Sequence, residues 1–230
     1  MKIKNKKIFL TFALSSIMFF SCSKMNDMHQ MYLDEGEIIY AAMLDSVASN
    51  PGYNRIEFEM YALSQRIAKV RIYWNNNNDS LDVNINNVTG IFDQIVSSLE
   101  EGEQIFKFVS IDMYNNKSLE YEHSTMVYGD DYNSRLINRH ISSVTYDGND
   151  IVIKWQSIAI ADVASTILTY QNIDNEISEV SVLTSDFTTT LTDAKPGGEF
   201  SYKTLYLPTP NAIDIFSSIT ENGIFPKESE

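Results

Sequence analysis

The chain holds few side chains able to do chemistry, and the most telling is a thiol. Cys22 is the only cysteine in 230 residues. One thiol by itself makes neither an intrachain disulfide nor a thiolate cluster for a metal. His29, His123 and His140 are dispersed, and none falls in HExxH, the spacing that turns two imidazoles toward zinc from one helix face. Asp147, Asn149 and Asp150, and separately Asp130 and Asp131, offer oxygens that calcium could use. Neither run has the EF-hand spacing, and Asp, Asn and Gly are also what tight turns require, so the turn reading is preferred. No GxSxG, no GxGxxG after a strand and no GxxxxGK is present, which leaves serine-hydrolase and nucleotide-binding chemistry without a motif. No catalytic residue, cofactor site or metal site is assigned. The remaining recognition chemistry is aromatic: 13 tyrosines stand beside 12 phenylalanines and 2 tryptophans. Exposed rings stack on sugars or anchor protein partners, although strands also favour aromatics for packing. Tyr73, Tyr121, Tyr128 and Tyr132 are the candidate ligand contacts, and Trp155 and Trp74 are assigned to the core.

The position of Cys22 gives it meaning. Lys2, Lys4, Lys6 and Lys7 form a basic start, Ile8 to Phe20 is apolar, and Ser21 puts a small residue just before the cysteine. A basic n-region followed by an apolar stretch too short to span a bilayer is a secretory signal, expected over residues 1–21. Its end resembles the lipobox of bacterial lipoproteins, in which the cysteine becomes the acylated first residue of the mature chain. That resemblance implies a lipid anchor at Cys22 and a cell-envelope, outer-membrane location. Ser23-Lys24-Met25-Asn26-Asp27 offers one acid and one base, so the periplasmic or surface face stays open. Two or three acyl chains hold a protein far more durably than one.

The signal segment carries four of the 17 basic residues and none of the 31 acidic ones, so the chain from Cys22 onward has 13 against 31, a formal charge of −18. A polyanion repels phosphate backbones, which argues against nucleic acid as a partner. It also repels anionic lipid, so membrane attachment is expected from the acyl chains.

Period-2 alternation dominates the rest. Ile56, Phe58 and Met60 alternate with Glu57 and Glu59, and Val70, Ile72 and Trp74 with Arg71 and Tyr73, as in half-buried strands. Four asparagines and Asp79 make a turn into Leu81, Val83 and Ile85, completing a hairpin over 69–85. Residues 88–98 have near-helical spacing but are read as a strand or a short turn-like element. Strands are expected at 105–113 and 118–128, and the acidic, turn-rich segment Gly129 to Asn133 is a linker. Strands then recur at 141–146, 151–155 after Asp147-Gly148-Asn149-Asp150, 165–171, 176–183, 186–191 and 199–206. Pro208 and Pro210 precede a last element at 212–219. This spacing predicts an all-β chain of two tandem sandwiches. Their expected limits are a tether over 22–37, a first sandwich over 38–129, a second over 134–218, and a loose tail over 219–230.

The second block resembles a fibronectin type III domain. Asp150 to Trp155, DIVIKW, is similar to its B strand, and Lys195 to Phe200, KPGGEF, to the approach to its F strand. The corner tyrosine of that family is here Phe200, which cannot make the tyrosine's hydroxyl bond to the backbone. In the first block Met60 stands where Trp155 stands in the second, and the polar Gln104 lies near the corner position. The mature chain as a whole resembles Bacteroidetes lipoproteins of the DUF4998 type, carried by Cys22-Ser23-Lys24-Met25, AKVRIYWNNNNDSLDV (68–83), LEEGEQIFKF (99–108) and LPTPNAIDIF (207–216). That resemblance implies an envelope location and a β-sandwich build, and no reaction. In related proteins this unit often precedes a discoidin-like module, and none is expected before Glu230. Asp45-Ser46-Val47 and Asp79-Ser80-Leu81 resemble the sites at which Bacteroidetes O-glycosylate exported proteins.

The expected function is that of a non-enzymatic binding or scaffold lipoprotein that captures glycans at the outer membrane. The alternative is an adhesion or assembly subunit contacting another envelope protein through a sheet edge or the tyrosines, and a hydrolase with an unrecognised site is the remote third. A glycan binder needs aromatics lining one exposed groove. An assembly subunit needs a flat apolar patch or an open edge strand.

Overall fold

Alternating burial along each strand builds two stacked-sheet bodies in this computed structural model, which describes residues 39–86 and 88–227. The expected signal peptide, Cys22 and the tether lie outside the described residues. In the first body, β1 (Ser46–Gly52), β2 (Arg55–Ala62) and β5 (Gly90–Ser97) form one sheet in the order β1-β2-β5. β3 (Ile67–Trp74), β4 (Asp79–Asn84), β6 (Gly102–Asp112) and β7 (Tyr121–Val127) form the other in the order β4-β3-β6-β7. All these pairings are antiparallel. Ile56, Phe58 and Met60 are fully buried, as their alternation predicts, and Phe58 meets Phe106 and Phe108 edge-on at 4.7 and 5.1 Å. Met60 fills the place that tryptophan holds in the second body.

The second body repeats the plan. β8 (Ile141–Asp147), β9 (Asp150–Trp155) and β12 (Thr188–Leu191) form the sheet β12-β9-β8. β10 (Val163–Gln171), β11 (Ile177–Leu183) and β13 (Glu199–Tyr206) form the other, where β14 (Phe216–Ser217) and β15 (Glu221–Ile224) both pair with β13. Trp155 is buried, donates from Nε1 to Thr189 Oγ1 at 2.9 Å, and packs edge-on against Tyr202. The chain is all-β, two fibronectin type III-like sandwiches of three-plus-four design with the last strand of the second split in two.

One local expectation is settled, one strand is new and two expectations change. Residues 88–98 settle as strand β5, because alternate residues Phe92 and Val96 turn toward the core. β1 carries no alternation strong enough to stand out, and Pro51 near its end obscures it further. The 212–219 element shrinks to β14. The expected loose tail is instead strand β15 followed by the buried Phe225, whose ring stacks on Phe200 at 4.6 Å. Gly223 makes this possible: a Cβ there would lie 2.3 Å from the Phe200 ring.

The expected linker is also structured. Asp130–Ser134 forms one helical turn, α1, and the N–H groups of Asp131 and Tyr132 donate to the Glu101 carboxylate at 2.7 Å each. Glu101 thereby satisfies donors that a helix start leaves free.

Candidate functional site

The four candidate tyrosines do not converge on one exposed surface. Tyr73 lies on the outer face of β3, in register with Ser80 and Lys107, and is half-buried. Its neighbours are charged. Arg71 forks onto Asp82, Lys69 reaches the same carboxylate at 3.0 Å, and Lys107 reaches Glu120 at 2.8 Å and Glu122 at 3.3 Å. Hydrogen bonds from Arg71, ahead of those from Lys69, hold the Asp82 carboxyl far below the usual carboxylate range. Tyr73 is therefore one ring within an ion-pair lattice. Exposed pairs of this kind contribute little stability and give the face its polarity.

Tyr121 turns inward against Phe108 at 6.5 Å and joins the first core. Two residues on, His123 also points in, edge-on to Phe58, and its Nε2 lies 2.9 Å from Ser49 Oγ of β1. Ser49 Oγ is also 2.9 Å from Thr125 Oγ1. The triple joins β1 to β7 across an edge of the sandwich. Burial lowers the His123 pKa from 6.5 and favours the neutral ring.

Tyr128 and Tyr132 meet at 4.9 Å where the two bodies join. Phe216 of β14 packs against Tyr132 at 5.1 Å and Tyr128 at 6.2 Å, and Tyr53 stacks on it from the first body at 5.5 Å. The Tyr132 hydroxyl is buried, and burial, with the nearby Asp162 carboxylate, pushes it up to about 12. Around these rings runs a polar belt. Asp214 accepts from Arg55 and from the Tyr53 N–H, the Ile213 N–H donates to Pro51 O at 2.9 Å, Asn211 donates to Ser49 O at 3.1 Å, and Tyr53 donates to Asp130. Gly52 is required here, since a Cβ would sit 2.4 Å from Asp214 Oδ2. The partners across the junction were not readable in the sequence.

Sequence reasoning missed Arg139. It is buried, yet its guanidinium donates to the carbonyls of Gln156 and Leu183 at 2.9 Å each and of Thr184 at 3.3 Å, between the Trp155 and Phe187 rings. It also missed the free edge of β5. That strand pairs with β2 on one side only, and its outward residues Ile91 and Ile95 are exposed, with Ile91 opposite the partly exposed Tyr61. Asp93, between Ile91 and Ile95 on the same face, is the one charged residue on this strand. A second open strand, β11, exposes Ile177 and Leu183 only at its ends.

Asp147 and Asp150 close the β8–β9 turn as a register pair, with Gly148 at φ +71°. Among the described residues no group of three or more His, Cys, Asp or Glu side chains is placed to hold a metal. A shallow groove of about 220 Å³ lies on the second body's outer face, lined by Thr169, Gln171, Glu199, Ser201 and Asn222, with Ile177 at its rim. Ser46 and Ser80 are both exposed.

A family model, DUF4998, described as a domain of unknown function, matches residues 22–216. No curated protein matches the chain. Among solved structures, the chain is similar to the FN1–FN3 domains of chicken CNTN1 at 13% identity and a TM-score of 0.42; the match covers 82% of this chain and 65% of that one, so the chain spans less than two thirds of it. It is similar to a two-domain fibronectin type III segment of chicken tenascin at 15% identity and a TM-score of 0.32, over 80% and 99% of the two chains. It is also similar to fibronectin(III)-like modules of Clostridium thermocellum CbhA at 12% identity and a TM-score of 0.42, over 80% and 93%.

Proposed function

We propose that this chain, which belongs to the DUF4998 family of domains of unknown function, is a non-catalytic scaffold lipoprotein of the cell envelope, held at the outer membrane through Cys22. Its two sandwiches act as one rigid unit, and the partner is another envelope protein that adds a strand to β5. The observation that carries this reading is the fate of the tyrosines. Tyr128 and Tyr132 are spent on the junction and Tyr121 on the core, so these three are not left to stack on a sugar. Among the open edges, β5 sets the exposed Ile91 and Ile95 beside an unused row of main-chain groups. Edge donors and acceptors match a peptide backbone, and the two exposed isoleucines, flanking Asp93, offer apolar contacts to its side chains.

A screen against glycan arrays and immobilised polysaccharides, with Tyr73→Ala in parallel, separates this reading from glycan capture. The scaffold reading expects no saturable retention. Saturable binding that Tyr73→Ala weakens would make the first sandwich a sugar site instead. Sugar attachment at the exposed Ser46 and Ser80 is proposed as well, and intact-mass spectrometry of the envelope-purified protein tests it.

A further inference from the structure

The end of the first sandwich at which the chain enters has an unusual surface. β1 runs away from that end, so the β2–β3, β4–β5 and β6–β7 connections all return to it. Contacts tie them together there. The Ala41 N–H donates to Lys117 O at 3.1 Å, the Leu63 N–H to the Asp45 carboxylate at 2.8 Å, and the Asn86 N–H to Ala68 O at 3.1 Å, while Arg66 approaches Asp112 at 3.8 Å. On this pole Met43, Leu63, Val88, Met113, Tyr114 and Leu119 are 43, 61, 56, 67, 74 and 63% exposed. Connections are ordinarily polar, so large apolar side chains on all three and on the entering segment mark a contact surface.

We propose that this pole is a lipid-contact surface that rests in the headgroup region of a phospholipid bilayer. The proposal rests on Cys22 being held at the membrane. The chain arrives at this pole directly from residues 23–38, which reach at most about 55 Å when fully extended. The opposite pole is covered by the second sandwich through Tyr53, Tyr128 and Asp214, so this is the end an anchored chain presents to the bilayer. Charge fits too. The chain is formally −14, yet the exposed charges on the β2–β3 and β6–β7 connections are Arg66, Lys117 and Glu120, and Glu120 is paired with Lys107 at 2.8 Å. Asp112 is buried under Asn116 and Tyr114, and Asp45 is engaged by the Leu63 N–H. Tyrosine at the headgroup level, methionine and leucine at the acyl boundary, and Arg and Lys stems reaching to phosphate form an interfacial set. Each contact is weak, but an anchored chain meets the surface at high effective concentration.

The lone thiol allows the anchor to be imposed chemically, whatever the cell does to Cys22. The chain from Cys22 onward, which contains every described strand, is coupled to phosphatidylcholine vesicles bearing a maleimide lipid and dibrominated acyl chains. Tryptophan is introduced as Tyr114→Trp, as Leu63→Trp, or as Ile173→Trp on the far turn of the second sandwich. A ring held within the ~5–10 Å headgroup and acyl boundary loses about half of its added emission to the bromines, so Tyr114→Trp and Leu63→Trp are quenched and Ile173→Trp is not. Folded, coupled protein in which neither pole variant is quenched overturns the proposal, as does equal quenching of all three. Mass spectrometry of the cell-purified protein reads acylation of Cys22 separately, so failure of the anchor and failure of the pole are distinguishable.

Discussion

Asp214, on the connection after β13, grips Arg55 of β2 through both carboxylate oxygens, Nε donating to Oδ2 at 2.8 Å and Nη2 to Oδ1 at 2.6 Å. The pair is the polar counterpart of the Phe216–Tyr53 stack and spans the junction between the sandwiches. Hydrogen bonds from Arg55 are the first cause of the Asp214 carboxyl lying below its ordinary value of 3.8.

Asp214→Ala should loosen the junction without unfolding either sandwich, because neither hydrophobic core includes it. Trypsin cleavage after the exposed Arg135, just beyond α1, should accelerate several-fold while near-ultraviolet dichroism of the cores is unchanged. Cleavage at the parental rate would mean that the aromatic stack alone sets the junction.

Acid should weaken the first sandwich through His123. Its folded pKa lies below its unfolded value of 6.5, so the unfolded chain binds the proton more readily. The neutral ring's contribution is complete above 6.5 and is lost as pH falls through the lower folded value. Asp82, Asp112 and Asp214, whose folded values lie below 3.8, act only near and below that pH. Melting temperature should therefore decline between pH 7 and 5, and His123→Gln should flatten that slope. An unchanged slope in the variant would remove His123 as its source.

Phe225→Ala tests whether the last strand belongs to the second core. The ring is buried against Phe200 and Tyr170, and emptying such a site costs about 3–5 kcal/mol in denaturant unfolding. A cost near zero would return residues 219–230 to the status of a tail.

Arg139→Lys keeps the charge and removes the planar fork that reaches three carbonyls. Hydrogen bonds to charged groups are worth about 1.5–3 kcal/mol, and a lysine can reach only part of this set. A loss of about 2 kcal/mol in urea midpoint analysis is expected, and an unchanged midpoint would make the site one of packing alone.

The elements that local rules govern were legible. Three consecutive asparagines, Asn75, Asn76 and Asn77, all take positive φ in the β3–β4 turn, where that residue type is tolerated. Ile151, Ile153 and Trp155 alternate because β9 has one wet face and one dry face. Relations between distant residues were not legible. Tyr128 and Tyr132 looked available because Phe216, more than 80 positions away, leaves no mark on their own segment. Phe200 lacks the corner hydroxyl, as noted, but Tyr206 makes a hydroxyl bond to the backbone from the same strand, donating to Ile137 O at 2.5 Å. In the first sandwich the polar Gln104 donates to Glu100 O at 3.3 Å. The β5 edge was hidden for another reason: apolar residues on both faces gave it a helical period.

The central claim is that the free edge of β5 is where a protein partner docks. Benzoylphenylalanine placed at Ile95 in cells, followed by irradiation, tests it directly. The account predicts one discrete protein adduct, lost when Ile91→Lys is added and absent when the photoreactive residue replaces Ile224 on the second sandwich. No adduct at Ile95, or the same adducts from both positions, would contradict it.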